Sequence, residues 1–144
     1  MKRIAGVLVA LVVAGFAFTG AARAESLGEG DRATIKSLIT GQIEAFQRDD
    51  GPAAYGFASP TIHSYFPSVD AFMAMVKSGY QPVYRPQSVT FGQIVETDRG
   101  VLQQVFVTGP DGKNYVAIYS MERQPDGTWK INGCSLAQDH SPSI

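Results

Sequence analysis

The chain has 144 residues, with 12 basic and 13 acidic side chains for a formal charge of −1, and a single cysteine. This near-neutral balance, with no run of Lys or Arg, leaves no electrostatic footprint for nucleic acid or anionic lipid. One cysteine cannot close an internal disulfide, so a domain built from this chain must hold by packing alone.

The stretch MKRIAGVLVALVVAGFAFTGAARAES starts with Lys2 and Arg3, runs apolar from Ile4 to Phe18, and ends in small residues at Ala22-Arg23-Ala24. That layout predicts a secretory signal peptide over residues 1–24 with an A-x-A cleavage site. The rival reading is a membrane anchor, since Ile4 to Ala22 approaches the roughly 20 residues that span a bilayer. The shortness of the apolar core and the peptidase-friendly Ala22 and Ala24 favour cleavage. No cysteine lies near the site for lipid attachment. Cleavage would remove Lys2, Arg3 and Arg23, leaving 120 residues with 9 basic and 13 acidic side chains. The expected location is periplasmic or secreted, in a bacterium, with no stable membrane association after cleavage.

From Asp31 to Arg48 the residues Ile35, Leu38, Ile39, Ile43 and Phe46 recur at three- and four-residue intervals, which predicts an amphipathic helix. In DDGPAAYGFASP, Asp50 or Gly51 can cap and Pro52 fits a first turn, so a short helix through Phe57 follows. SPTIHSYF repeats the device with Ser59 and Pro60. Ser68 then opens a further amphipathic segment, with Val69, Phe72, Met73 and Val76 on one face and Gly79 at its end. Tyr80, Pro82, Tyr84 and Pro86 of YQPVYRP predict an extended connector.

Four strands are expected next, at Ser88 to Glu96, Val101 to Thr108, Asn114 to Arg123 and Thr128 to Leu136. They are separated by TDRG, GPDGK and QPDG, whose glycines accept the positive φ of tight hairpins. Tyr115, Ala117, Tyr119 and Met121 share one face of the third strand, and Val116 and Ile118 share the other. Leu102 and Phe106 likewise oppose Val101, Val105 and Val107, with Gln103 and Gln104 split between faces. One sheet face is expected to carry the helices, and the other to be covered by a second subunit, a loop or the chain's own curvature. The fold class is therefore α+β, with N-terminal helices packed on a curved four-stranded antiparallel meander. A single domain is expected over residues 25–138, followed by a flexible Ser/Pro-rich tail, 139–144.

The stretches IEAFQRDDGPAAYGFASPTI, FMAMVKSGYQPVYRP and YSMERQPDGTWKINGCSL, in this order, resemble a family of short exported bacterial domains of unknown function. That family carries a nuclear transport factor 2-like (cystatin-like) fold. The resemblance covers roughly Asp31 to Gln138 and implies an α+β roll, with a cone-shaped pocket between the concave sheet and the first helices. It brings no established activity. In the wider superfamily this pocket binds a small apolar ligand, or performs acid-base chemistry in isomerase- and dehydratase-like members.

Such chemistry needs an Asp, Glu or His whose pKa is tuned by apolar surroundings, and the chain is poor in them. Asp98, Asp111 and Asp126 fall in hairpin turns, and Glu96 and Glu122 near strand ends. Asp49 and Asp50 end one helix and cap the next. His63, on the SPTIHSYF helix, is the best acid-base candidate and borders the pocket mouth in the resembling fold. His140 lies in the tail. No metal-ligand spacing occurs and no cofactor is implied. Tyr84 and Tyr119 are candidates to line a ligand pocket with polar tips on an apolar wall.

Cys134 lies in the last strand, WKINGCSL, away from any helix N-terminus or cationic cluster that would activate a thiolate. Strict alternation would place it opposite Ile131. A β-bulge at Asn132-Gly133 would instead align Trp129, Ile131, Cys134 and Leu136 on one buried side, making the cysteine a core or pocket-wall residue. The expected function is a non-catalytic module that binds a small apolar ligand or a protein partner, assembled as a homodimer. The alternative is a small pocket enzyme with isomerase- or dehydratase-like chemistry.

Overall fold

The computed structural model describes residues 27–141. The signal peptide expected over residues 1–24 lies outside the described residues, as does the end of the tail. Among the described residues, no helix is long and apolar enough to cross a membrane.

Helix α1 (Glu29–Gln47) buries Ile35, Ile39, Ile43 and Phe46, the stripe that the sequence periodicity marks. Three short caps then set the following helices. Asp50 accepts from Ala53 N (3.2 Å) to start α2 (Gly51–Gly56), Ser59 accepts from Ile62 N (3.3 Å) to start α3 (Pro60–Tyr65), and Ser68 accepts from Ala71 N (3.0 Å) to start α4 (Val69–Gly79). Each side-chain oxygen satisfies an amide that lacks an intrahelical partner.

The YQPVYRP segment departs from expectation. It is not extended but contains a one-turn helix, α5 (Gln81–Tyr84), in which Pro82 sits in the first turn, where a missing N–H costs nothing. A tether to the end of α1 holds this turn. Asp49, at φ 54°, receives the Tyr84 hydroxyl on Oδ1 and the Arg85 guanidinium on Oδ2 at 2.9 Å. Arg85 also donates to Phe46 O and stacks on the Tyr84 ring, 4.0 Å from its centroid. The Tyr84 hydroxyl, followed by Arg85, holds the Asp49 carboxyl below its ordinary pKa. Asp50 thus caps, while Asp49 ties helix to helix.

The strands β1 (Ser88–Thr97), β2 (Gly100–Thr108), β3 (Asn114–Arg123) and β4 (Trp129–Gln138) form one antiparallel sheet in the order β1-β2-β3-β4. Gly112 (φ 76°) and Gly127 (φ 86°) supply the left-handed positions of the last two hairpins. Asp111 and Asp126 accept from Lys113 N and Thr128 N there, so they are turn residues. The inner face buries Val101, Val105, Val107, Ala117, Tyr119 and Met121 against Ile35, Ile39 and Ile43 of α1. Asp31 adds a polar tie at the far end, accepting from Trp129 Nε1 at 3.1 Å and pairing with Arg123 at 2.8 Å. On the outer face Leu102, Val116 and Ile118 are half-buried, and Phe106 and Val95 are exposed.

Pairing skips a residue in β4. Met121 faces Ile131, Ser120 faces Gly133 and Tyr119 faces Cys134, leaving Asn132 as the extra residue of a bulge. Ile131, Cys134 and Leu136 consequently pack against the same core as Trp129. The α2–α3 connector locks onto this bulge. Ile131 N donates to Phe57 O (2.9 Å), Ser59 N donates to Ile131 O (2.8 Å), and the fully buried Ser59 hydroxyl donates to Asn132 Oδ1 (2.7 Å).

Ser59→Ala removes both the α3 cap and the Asn132 contact. It should lower stability by about 1–3 kcal/mol in urea unfolding. A change below about 0.3 kcal/mol would show that the connector is held by its backbone bonds alone.

Candidate functional site

The space left between the helices and the last two strands is a partly open cavity of about 230 Å³. Its floor is Tyr119 of β3 with Ile131, Gly133 and Cys134 of β4. Its walls are Gln42 and Phe46 of α1, Ile62 of α3, and Phe72, Met75 and Val76 of α4, with Phe66, Tyr80 and Val83 from the neighbouring turns. The bulge is what brings Ile131 and Cys134, three positions apart, onto the same floor.

The lining is apolar apart from a few tips. Gln42 is buried and donates its side-chain amide to Ala54 O at 3.2 Å. The Tyr80 hydroxyl donates to Cys134 O at 3.0 Å. The Tyr119 hydroxyl is fully buried beside the Cys134 thiol and has no oxygen or nitrogen hydrogen-bond partner. Burial, with Cys134 alongside, pushes the Tyr119 phenol well above its ordinary pKa. Burial likewise pushes the Cys134 thiol up to about 12. Both groups are therefore neutral near pH 7, and no Asp, Glu or His is among the residues that line the cavity. The arrangement can hold a neutral molecule and orient it by hydrogen bonds; it holds no group poised to move a proton.

Of the four residues singled out from the sequence, the structure brings together Tyr119 and Cys134, paired across β3 and β4 on the cavity floor. His63 and Tyr84 lie outside the lining. The His63 ring stacks on Tyr55 (centroids 3.8 Å apart, planes 6° apart), and its Nε2 lies 2.8 Å from Tyr55 O. Tyr84 is buried in the α1–α4–α5 cluster, with its hydroxyl spent on Asp49. The residues near His63 that do reach the cavity are Ile62 of α3 and Phe66 just past its end, the latter fixed through its carbonyl by the Tyr55 hydroxyl at 2.6 Å.

Gln42, Met75 and Tyr80 line the cavity in addition to the candidates marked by the sequence. Gln42 carried a usable signal, because a polar residue between Ile39 and Phe46 on the buried stripe of α1 needs a partner or a purpose. Met75 and Tyr80 carried none, since their inward direction depends on how α4 meets α5.

These features define a small α+β domain in which helices and a bulged antiparallel sheet enclose a neutral apolar cavity. Residues 29–144 match the family model described as domain of unknown function DUF4864, and the chain belongs to that family. Searches of curated proteins and of solved structures give no significant match.

With the thiol pKa near 12, roughly one Cys134 in 10⁵ is ionised at pH 7. Iodoacetamide should therefore label the native protein at least about 100-fold more slowly than the urea-unfolded chain. Equal rates would mean that the thiol is neither buried nor raised.

Proposed function

We propose that this domain is a non-catalytic binding module for a small, largely apolar, neutral molecule held between the helices and β3–β4. The observation that carries the proposal is the composition of the cavity: an apolar wall with a few polar tips and no ionised group. This is the usual make-up of a small-molecule site. A cavity of about 150 Å³ accommodates benzene, so 230 Å³ suits a ligand on the order of ten non-hydrogen atoms. The isomerase- or dehydratase-like alternative gains no support, because its acid-base group would have to come from Tyr80, Tyr119 or Cys134, all held neutral by burial.

Helices packed on one face of a bulged antiparallel meander support placing the domain among the nuclear transport factor 2-like rolls. The support for an exported setting is the layout of residues 1–24.

Met75, half-buried on the cavity wall, offers a way to fill the space without touching the sheet. A thermal-shift and NMR screen of neutral compounds with about six to twelve non-hydrogen atoms should find saturable binders. Their shift changes should centre on Met75, Val83 and Cys134, and Met75→Trp should weaken them at least about tenfold. Binders that ignore Met75→Trp and perturb other parts of the fold would refute this location.

A further inference from the structure

We propose that the ligand carries an oxygen acceptor, a ketone or similar carbonyl in its otherwise apolar body, and that the Tyr119 hydroxyl is the donor that selects it. The inference rests on the binding reading above and adds the chemical class of the ligand.

A buried phenol normally has its hydroxyl satisfied by protein or by ordered water, because leaving it unpaired forfeits a hydrogen bond. The other inner tyrosines follow that rule. Tyr55 donates to Phe66 O, Tyr80 to Cys134 O, and Tyr84 to Asp49. Tyr119 has no oxygen or nitrogen acceptor, although it is 1% exposed and stands at the centre of β3. Its neighbour across the ladder, Cys134, offers only sulfur, a weak acceptor. The Cys134 carbonyl, which could otherwise serve nearby, already accepts from Tyr80.

The rest of the cavity narrows the ligand further. Phe46, Phe72, Val76 and Ile131 offer apolar contact, so the acceptor has to be a small part of the molecule. A carboxylate or phosphate would arrive with no cation among the lining residues to meet it, and burying an unpaired charge is costly. A pure hydrocarbon would leave the hydroxyl with only the weakly accepting Cys134 sulfur. A neutral carbonyl compound accepts one hydrogen bond and fills the remainder with apolar surface. In the empty protein the hydroxyl meets only the Cys134 thiol, so a stronger acceptor is offered only when the cavity is filled.

Two matched probes separate these possibilities: acetophenone and isopropylbenzene, which share shape and differ in one carbonyl oxygen. Their affinities for wild type and Tyr119→Phe are measured by NMR titration, and the melting temperature of each unliganded protein is recorded. The expected result is a loss of about tenfold for acetophenone in Tyr119→Phe, with isopropylbenzene unchanged within about twofold or tighter. The unliganded variant should melt within about 1 °C of wild type or above it. Equal changes for the two probes, or none, would overturn the inference while leaving the binding reading intact. A larger fall in melting temperature would also overturn it, because the hydroxyl would then be serving the fold. If neither probe binds wild type, the binding reading falls and the inference goes with it.

Discussion

The contact on which the rest of the structure depends joins Ser59 to the bulge at Asn132. The Ser59 hydroxyl caps α3 and donates to Asn132, while the adjacent backbone forms a short parallel bridge between Ala58 and Ile131. The bulge changes the phase of β4, so Ile131 and Cys134 both face inward despite their odd spacing. The connector in turn occupies part of the β4 edge, where unpaired backbone groups would otherwise be exposed. Helix α3 has no buried residue of its own, so its position over the cavity comes from this node and from the Tyr55–His63–Phe66 cluster. One supernumerary residue thus sets both the floor of the cavity and the place of one wall.

The energetics of the cavity follow from what surrounds it. Two hydrophobic clusters, one between α1 and the sheet and the other between α1, α2, α4 and α5, meet along Phe46, Tyr80 and Val83 without filling the seam. An unfilled seam lacks the dispersion contacts that a close-packed core would supply, and a suitably shaped apolar ligand restores them. Polar groups in the seam are costly unless paired, and the structure pairs Gln42 and Tyr80 internally. Tyr119 departs from that economy, which is why it bears on function. Burial raises both Tyr119 and Cys134, so the seam remains uncharged across the ordinary pH range.

Features decided within a few residues were legible from the sequence. Ser59, Ser68 and Asp50 announce helix starts through their spacing to the following amides, and Pro52 and Pro60 fit the first turns behind them. The β4 bulge was legible too, because only a phase shift reconciles Ile131 with Cys134 and Leu136 on one buried side. Helix α5 was not. Two prolines four residues apart favour extended backbone locally, and the turn forms around a carboxylate 35 residues upstream of Tyr84. The candidate tyrosines divide for the same reason. Whether a hydroxyl ends in a cavity or on a partner depends on long-range packing, which sent Tyr84 to Asp49 and Tyr80, four residues earlier, to the cavity wall.

The central claim is that the seam between the helices and β3–β4 is an accessible apolar cavity. Xenon tests this most directly, because it enters dry apolar cavities of such size and needs no polar partner. Methyl NMR spectra recorded under increasing xenon pressure should show saturable shifts confined to Ala58, Ile62, Met75, Val76, Val83 and Ile131, the methyl-bearing residues that line the space. Weak, unsaturable shifts spread evenly over the core would contradict the account.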